Sequence, residues 1–135
     1  GEDIRKFEAL GTRSFPIEMA TGHAINFHNA IGSARKQKRL HYLKNYWLEQ
    51  VLEMPEVTTC TSLQPGFGCA IANFSVEGFT PHELARELFK RSRLHTVAIV
   101  QENISGVRVT PHVYTPLNDL DRLVATVKQL VHEQK

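Results

Sequence analysis

Cysteine is nearly missing from this sequence: Cys60 and Cys69 are the two it has, and they lack CxxC spacing. That excludes a disulfide framework and a cysteine-rich metal knuckle. Both are expected to be small buried hydrophobes in a reducing compartment. Long apolar runs are missing as well, since no stretch approaches the roughly 18 apolar residues that cross a bilayer. The N-terminus, Gly1-Glu2-Asp3-Ile4-Arg5-Lys6, is charged and opens no signal-peptide run. No membrane partner is expected, and the cytoplasm is the default location. With no starting methionine, Gly1 reads as a processing scar or an internal cut. An excess of one charge is also lacking. The 16 basic and 14 acidic residues leave a formal charge of +2, far from the basic bias of a nucleic-acid binder, so no nucleic-acid partner is expected. There is no Walker A loop, no Gly-x-Gly-x-x-Gly and no Gly-x-Ser-x-Gly elbow. None of the seven histidines has His-x-x-x-His spacing beside an acid, so no metal site is expected.

What is present suits one ordinary globular domain: 135 residues, 41% of them hydrophobic and 22% charged. Residues 1–16 have no periodicity and contain Gly11, Thr12 and Pro16, so they read as an irregular arm. From Ile17 to about Ala30, apolar residues recur at three or four (Ile17, Ala20, Ala24, Phe27, Ile31), which predicts a helix with one buried stripe. Gly32 interrupts, and a longer helix is expected from about Ala34 to Glu53, striped by Leu40, Leu43, Trp47, Leu48, Val51 and Leu52 and closed by Pro55. The basic run Arg35-Lys36-Gln37-Lys38-Arg39 falls on its first turns and reads as a solvated face.

Val57–Ser62 and Cys69–Val76 then read as strands around a turn at Gln64-Pro65-Gly66-Phe67-Gly68. Thr80-Pro81-His82-Glu83 is a capping box that opens a helix carrying Leu84, Leu88 and Phe89. Strands are expected at His95–Val100 and Val107–Thr110, and Thr115-Pro116 should cap a last helix striped by Leu120, Val124, Val127 and Val131. Helices gathered on one face of a small, mostly antiparallel sheet make a two-layer α+β domain.

One polar residue stands out from this pattern. In Gly106-Val107-Arg108-Val109-Thr110, alternation puts Val107 and Val109 on one face and Arg108 on the other. An arginine in so apolar a strand requires either an acidic partner in the chain or a ligand.

The same stretch resembles the closing motif of the class V aminotransferases, an enzyme family of the fold-type I pyridoxal-phosphate (PLP) group. The matching residues are Arg108-Val109-Thr110-Pro111-His112-Val113-Tyr114-Thr115 and Asp119-Leu120-Asp121-Arg122-Leu123-Val124. Phe7-Glu8-Ala9-Leu10-Gly11-Thr12-Arg13 is similar to the family's Phe-Glu-x-Gly-Thr segment, and Ala30-Ile31-Gly32 to the break between its two consecutive helices.

The resemblance implies a C-terminal small domain, residues 17–135, with residues 1–16 continuing from a missing N-terminal large domain. It implies that Arg108 binds the substrate's α-carboxylate, and that Gly11 and Thr12 reach the cofactor phosphate in the neighbouring subunit of a homodimer. The cofactor would be PLP and the substrate an amino acid or amine. The catalytic lysine of the family lies in its large domain, so this chain is expected to carry no catalytic residue and to be inactive alone. The cysteine-desulfurase branch has a nucleophilic cysteine shortly before the position of Arg108. Leu94–Val107 contains none, which leaves transaminase, epimerase and lyase chemistry. A free-standing α+β interaction or regulatory module without catalysis is the alternative.

Overall fold

The computed structural model describes residues 3–7, 11, 14–64 and 66–134. The chain divides into two compact units, residues 1–33 and 34–135. In the first, a 3-10 turn at Ile4–Phe7 precedes helix α1, Phe15–Ile31. Pro16 sits in its first turn, where a missing N–H costs nothing. Gly32, at φ +86°, ends it by turning its N–H back to the His28 carbonyl. The helix forms as its periodicity predicts, but its stripe is not covered. No residue of α1 is buried, and Ile17 and Phe27 are 68% and 57% exposed. Periodicity fixes which face is apolar and says nothing of what packs on it.

The second unit holds the core. Helix α2 runs Ser33–Val51, α3 Pro81–Ser92 and α4 Leu117–His132. Four strands, β1 (Val57–Thr58), β2 (Ala72–Val76), β3 (Val97–Gln101) and β4 (Ile104–Val109), form an antiparallel sheet in the order β1-β2-β4-β3. The register opposes Ala72 to Val109, Asn73 to Arg108 and Phe74 to Val107. Ala72, Phe74, Val76, Val107 and Val109 therefore share one face, all buried. On them close Leu43, Trp47, Leu48 and Val51 of α2, Leu84 and Leu88 of α3, and Leu123, Val127 and Leu130 of α4. Trp47 meets Phe74 edge-on, ring centres 5.5 Å apart. This is the expected two-layer α+β architecture. No helix among the described residues is long and apolar enough to cross a membrane.

Local sequence explains the element ends. The Thr80 hydroxyl accepts from the Glu83 N–H at 3.3 Å while Glu83 Oε2 accepts from the Thr80 N–H at 3.0 Å, so two orphan donors are satisfied together. The expected cap at Thr115 forms differently. Pro116 is the N-cap, and the Thr115 hydroxyl instead accepts from the His112 N–H at 2.8 Å, closing a turn. The strand expected over Val57–Ser62 shortens to Val57–Thr58. Beyond it Thr59 Oγ1 donates to the Asn73 carbonyl at 2.6 Å, and Thr61 Oγ1 accepts from the Asn73 N–H at 2.8 Å. Threonine hydroxyls thus replace the backbone ladder. Cys60 and Cys69 are both exposed, not buried as expected, because each lies in this irregular stretch outside the strands.

An ion pair ties α3 to the end of α4. Arg91 Nη1 and Nη2 each lie 2.7 Å from a Glu133 carboxylate oxygen, and its Nε lies 3.0 Å from Glu87 Oε2. The Arg91 guanidinium holds the Glu133 carboxyl below its ordinary value of 4.5. A depressed carboxylate pKa contributes stability above 4.5, and the contribution is lost as pH falls through the folded-state value. Urea midpoints measured on either side of pH 4.5 should therefore fall on acidification. Arg91→Ala should flatten that fall. An unchanged slope in the variant would show that the pair makes no difference to folding.

Candidate functional site

The sheet face turned away from the helices carries the site. Strand alternation leaves Arg108 on it, exposed, between Val107 and Val109, which are 0% and 8% exposed on the core side. Its neighbours across the sheet are Asn73 on β2 and Val97 on β3. The Arg108 side chain makes no hydrogen bond or ion pair among the described residues. Of the two roles the sequence left open, an acidic partner is therefore not observed among the described residues. A guanidinium in this state offers its planar fork of donors outward.

Two features frame it. Gly106, two residues earlier on the same face, has φ +147°, and a Cβ there would stand 2.5 Å from the Phe74 carbonyl oxygen, 2.7 Å from Ser75 Oγ and 2.9 Å from Asn73 Nδ2. The glycine is required by this close approach of β2 to β4. Asn73 is 8% exposed, yet neither its Oδ1 nor its Nδ2 has a hydrogen-bond partner. Leaving a dry amide unpaired costs about 1–3 kcal/mol, so its retention in a strand needs a reason. Asn73-Phe74-Ser75 matches an N-glycosylation sequon, and burial makes Asn73 unsuitable for glycosylation in the folded chain.

The turn that follows β4 is anchored from the other layer. Arg39 Nη2 of α2 donates to the Thr115 carbonyl at 3.1 Å, so one residue of the basic run holds the segment after Arg108 in place. Within that turn the rings of His112 and Tyr114 lie 4.6 Å apart. A cavity of about 140 Å³ opens nearby, lined by Thr96, Val109, Asp119 and Leu120 among others, but not by Arg108. It belongs to the helix-facing side and is not the candidate site.

Of the two residues matched to a phosphate contact, Gly11 is exposed at φ +81° with no heavy atom of the described residues within 4 Å of where a Cβ would stand. Such a bare backbone lets anionic oxygens approach closely, which fits a phosphate. Thr12 lies outside the described residues. The sequence did not single out Asn73. The signal was there, since Ala70-Ile71-Ala72-Asn73-Phe74 sets an amide in an apolar strand as Val107-Arg108-Val109 sets a guanidinium. Lys44, on α2, was likewise unanticipated: it is 6% exposed, with its Nζ 3.3 Å from where a Gly68 Cβ would stand.

With the geometry in place, comparison with known proteins is informative. No protein-family profile matches the chain. Among curated proteins it is similar to isopenicillin N epimerases. It is 25% identical to that of Amycolatopsis lactamdurans over 128 residues, which is 94% of the chain and 32% of the epimerase. It is 26% identical to that of Streptomyces clavuligerus over 131 residues, 96% of the chain and 33% of the epimerase. The chain spans about a third of the length of these relatives.

Among solved structures, the apo cysteine desulfurase of Thermococcus onnurineus matches with a TM-score of 0.72 at 24% identity, over 81% of the chain and 29% of that protein. A mutant of the cystine C–S lyase C-DES with glycine covalently linked to its PLP cofactor matches with a TM-score of 0.62 at 17% identity, over 77% and 26%. The chain has the fold of the small domain of PLP-dependent transferases. Within that fold, the resemblance first carried by the Arg108 and Gly11 segments is matched by the likeness to isopenicillin N epimerases along nearly the whole chain.

Proposed function

We propose that the chain is the small domain of a PLP-dependent enzyme acting on an amino acid or amine, and that Arg108 grips the substrate's α-carboxylate. The observation that carries this reading is the unpaired guanidinium of Arg108 on the open sheet face, with no acid of the described chain to neutralise it. Two parallel N–H donors match the two oxygens of a carboxylate. The comparisons support the substrate class: the neighbours are named for cysteine desulfuration and cystine C–S lysis.

PLP, when bound, supplies the electron sink for bond-breaking at the substrate's α-carbon. This chain's residues do the rest of their work by placement. Arg108 fixes one end of the substrate, so that the α-carbon is presented in one orientation. Gly11 and Thr12 are the residues we assign to the cofactor phosphate of a neighbouring subunit. The exposed apolar residues of α1, Ile17 and Phe27 among them, are the surface we assign to contact with a large domain.

The test is cofactor titration followed by borohydride reduction and peptide mapping. In the full-length protein one equivalent of PLP should be fixed to a lysine outside residues 1–135. The 135-residue chain alone should take up label only non-specifically. Stoichiometric labelling of Lys44, or of any other lysine here, would sink the reading.

A further inference from the structure

Resting on the assignment of Arg108 to a carboxylate, we infer that Asn73 is a positioning residue that aims the guanidinium. Three observations converge on it. Asn73 stands directly opposite Arg108 in the β2–β4 register. Its amide is more than nine-tenths buried, and both polar atoms lack a partner. Its backbone is held on the far side by Thr59 and Thr61, at 2.6 and 2.8 Å, so the side chain has a fixed base. Gly106 completes the arrangement, because a Cβ there would stand 2.9 Å from Asn73 Nδ2 and displace the amide.

Directly opposed residues of an antiparallel pair have Cβ atoms about 4.5–5.5 Å apart. That places Asn73 Oδ1 within reach of Nε of an arginine stem laid across the strand. In the structure the two side chains are not bonded; when a carboxylate is held, Oδ1 accepts the Nε–H, which leaves Nη1 and Nη2 for the carboxylate's two oxygens. The amide is suited to this because it is neutral. An aspartate at 73 would pair with Arg108 permanently and compete with the substrate for the same donors. Asn73 orients the charge without cancelling it.

Propionate, which has a carboxylate and no amine, isolates this step from the chemistry. Its affinity for the full-length protein with cofactor in place is measured by calorimetry, beside ethylamine, which lacks the carboxylate. Asn73→Ala should weaken propionate about tenfold through one lost charge-assisted hydrogen bond and leave ethylamine unchanged. Asn73→Asp, nearly identical in shape and so the safer variant for folding, should abolish propionate binding as fully as Arg108→Ala. Circular dichroism and thermal melts check that both variants fold.

If both Asn73 variants fold and bind propionate as the parent does, while Arg108→Ala does not, the inference about Asn73 is overturned and the carboxylate reading stands. A lower melting temperature with an unchanged propionate-to-ethylamine ratio overturns it too, since Asn73 would then be structural only. If Arg108→Ala itself binds propionate normally, the carboxylate reading falls and Asn73 falls with it.

Discussion

If Arg108 grips a substrate carboxylate as proposed, Arg108→Ala in the full-length protein should raise KM for an amino-acid substrate by a factor corresponding to about 2–4 kcal/mol, the worth of a pair of charge-assisted hydrogen bonds to a carboxylate. Arg108→Lys recovers only part of that, because an ammonium is a point charge and cannot meet both oxygens in one plane. A decarboxylated amine substrate is nearly indifferent to either change. Folding should be little affected, since the Arg108 side chain is exposed and bonds to no other described residue. Steady-state kinetics on a matched amino acid and amine, with a melting curve for each variant, make the comparison. Equal losses on both substrates would mean that Arg108 supports the structure and binds no carboxylate.

Gly106→Ala is expected to be the most destabilising single-methyl change in the chain. The added Cβ would lie 2.5 Å from the Phe74 carbonyl oxygen, a backbone atom in the middle of the neighbouring strand, at a residue whose φ is +147°. That carbonyl oxygen cannot turn away, as the end of a flexible side chain could. Backbone strain and overpacking together should cost about 3 kcal/mol or more. Gly22→Ala provides the contrast. It sits inside α1 with no heavy atom within 4 Å of a Cβ, where alanine should be favoured by about 0.5–1 kcal/mol. Urea unfolding of both variants reads the difference directly. A Gly106→Ala midpoint equal to the parent's would mean that β2 and β4 can separate at this point without penalty.

Where the sequence was legible, the determinants were local. The capping box at Thr80 and Glu83, the break at Gly32 and the 3.6-residue stripes of α2 and α4 depend on neighbours within a turn or two, and each element lies close to where the pattern puts it. The alternation that separates Arg108 from Val107 and Val109 is equally local. What the pattern missed was decided by contacts across the fold. Val57–Ser62 reads as a strand from its own residues, but the Thr59 and Thr61 hydroxyls find Asn73 fourteen and twelve residues away and end the ladder. The buried stripe expected of α1 requires a covering surface, which no helical period contains. Cys60 and Cys69 were assigned to the interior on residue type, and loop position overrode it. Asn73 was legible in principle and went unread, because its meaning comes from its place opposite Arg108, which only strand register supplies.

The two threonine hydroxyls bear on a different property of the protein. A sheet edge with free N–H and C=O groups is a template on which a second chain can add a strand, the first step of many aggregation events. Past the two-residue β1, the outer edge of β2 would be such a template. Thr59 and Thr61 occupy its Asn73 groups with side-chain oxygens, and a side chain presents no further ladder to extend. At Asn73 that border of the sheet is closed to strand addition. The opposite border, β3, has no such plug among the described residues, and Val100 stands 64% exposed on it. If this domain self-associates through its sheet when unpartnered, Val97–Gln101 is where the first foreign strand would attach.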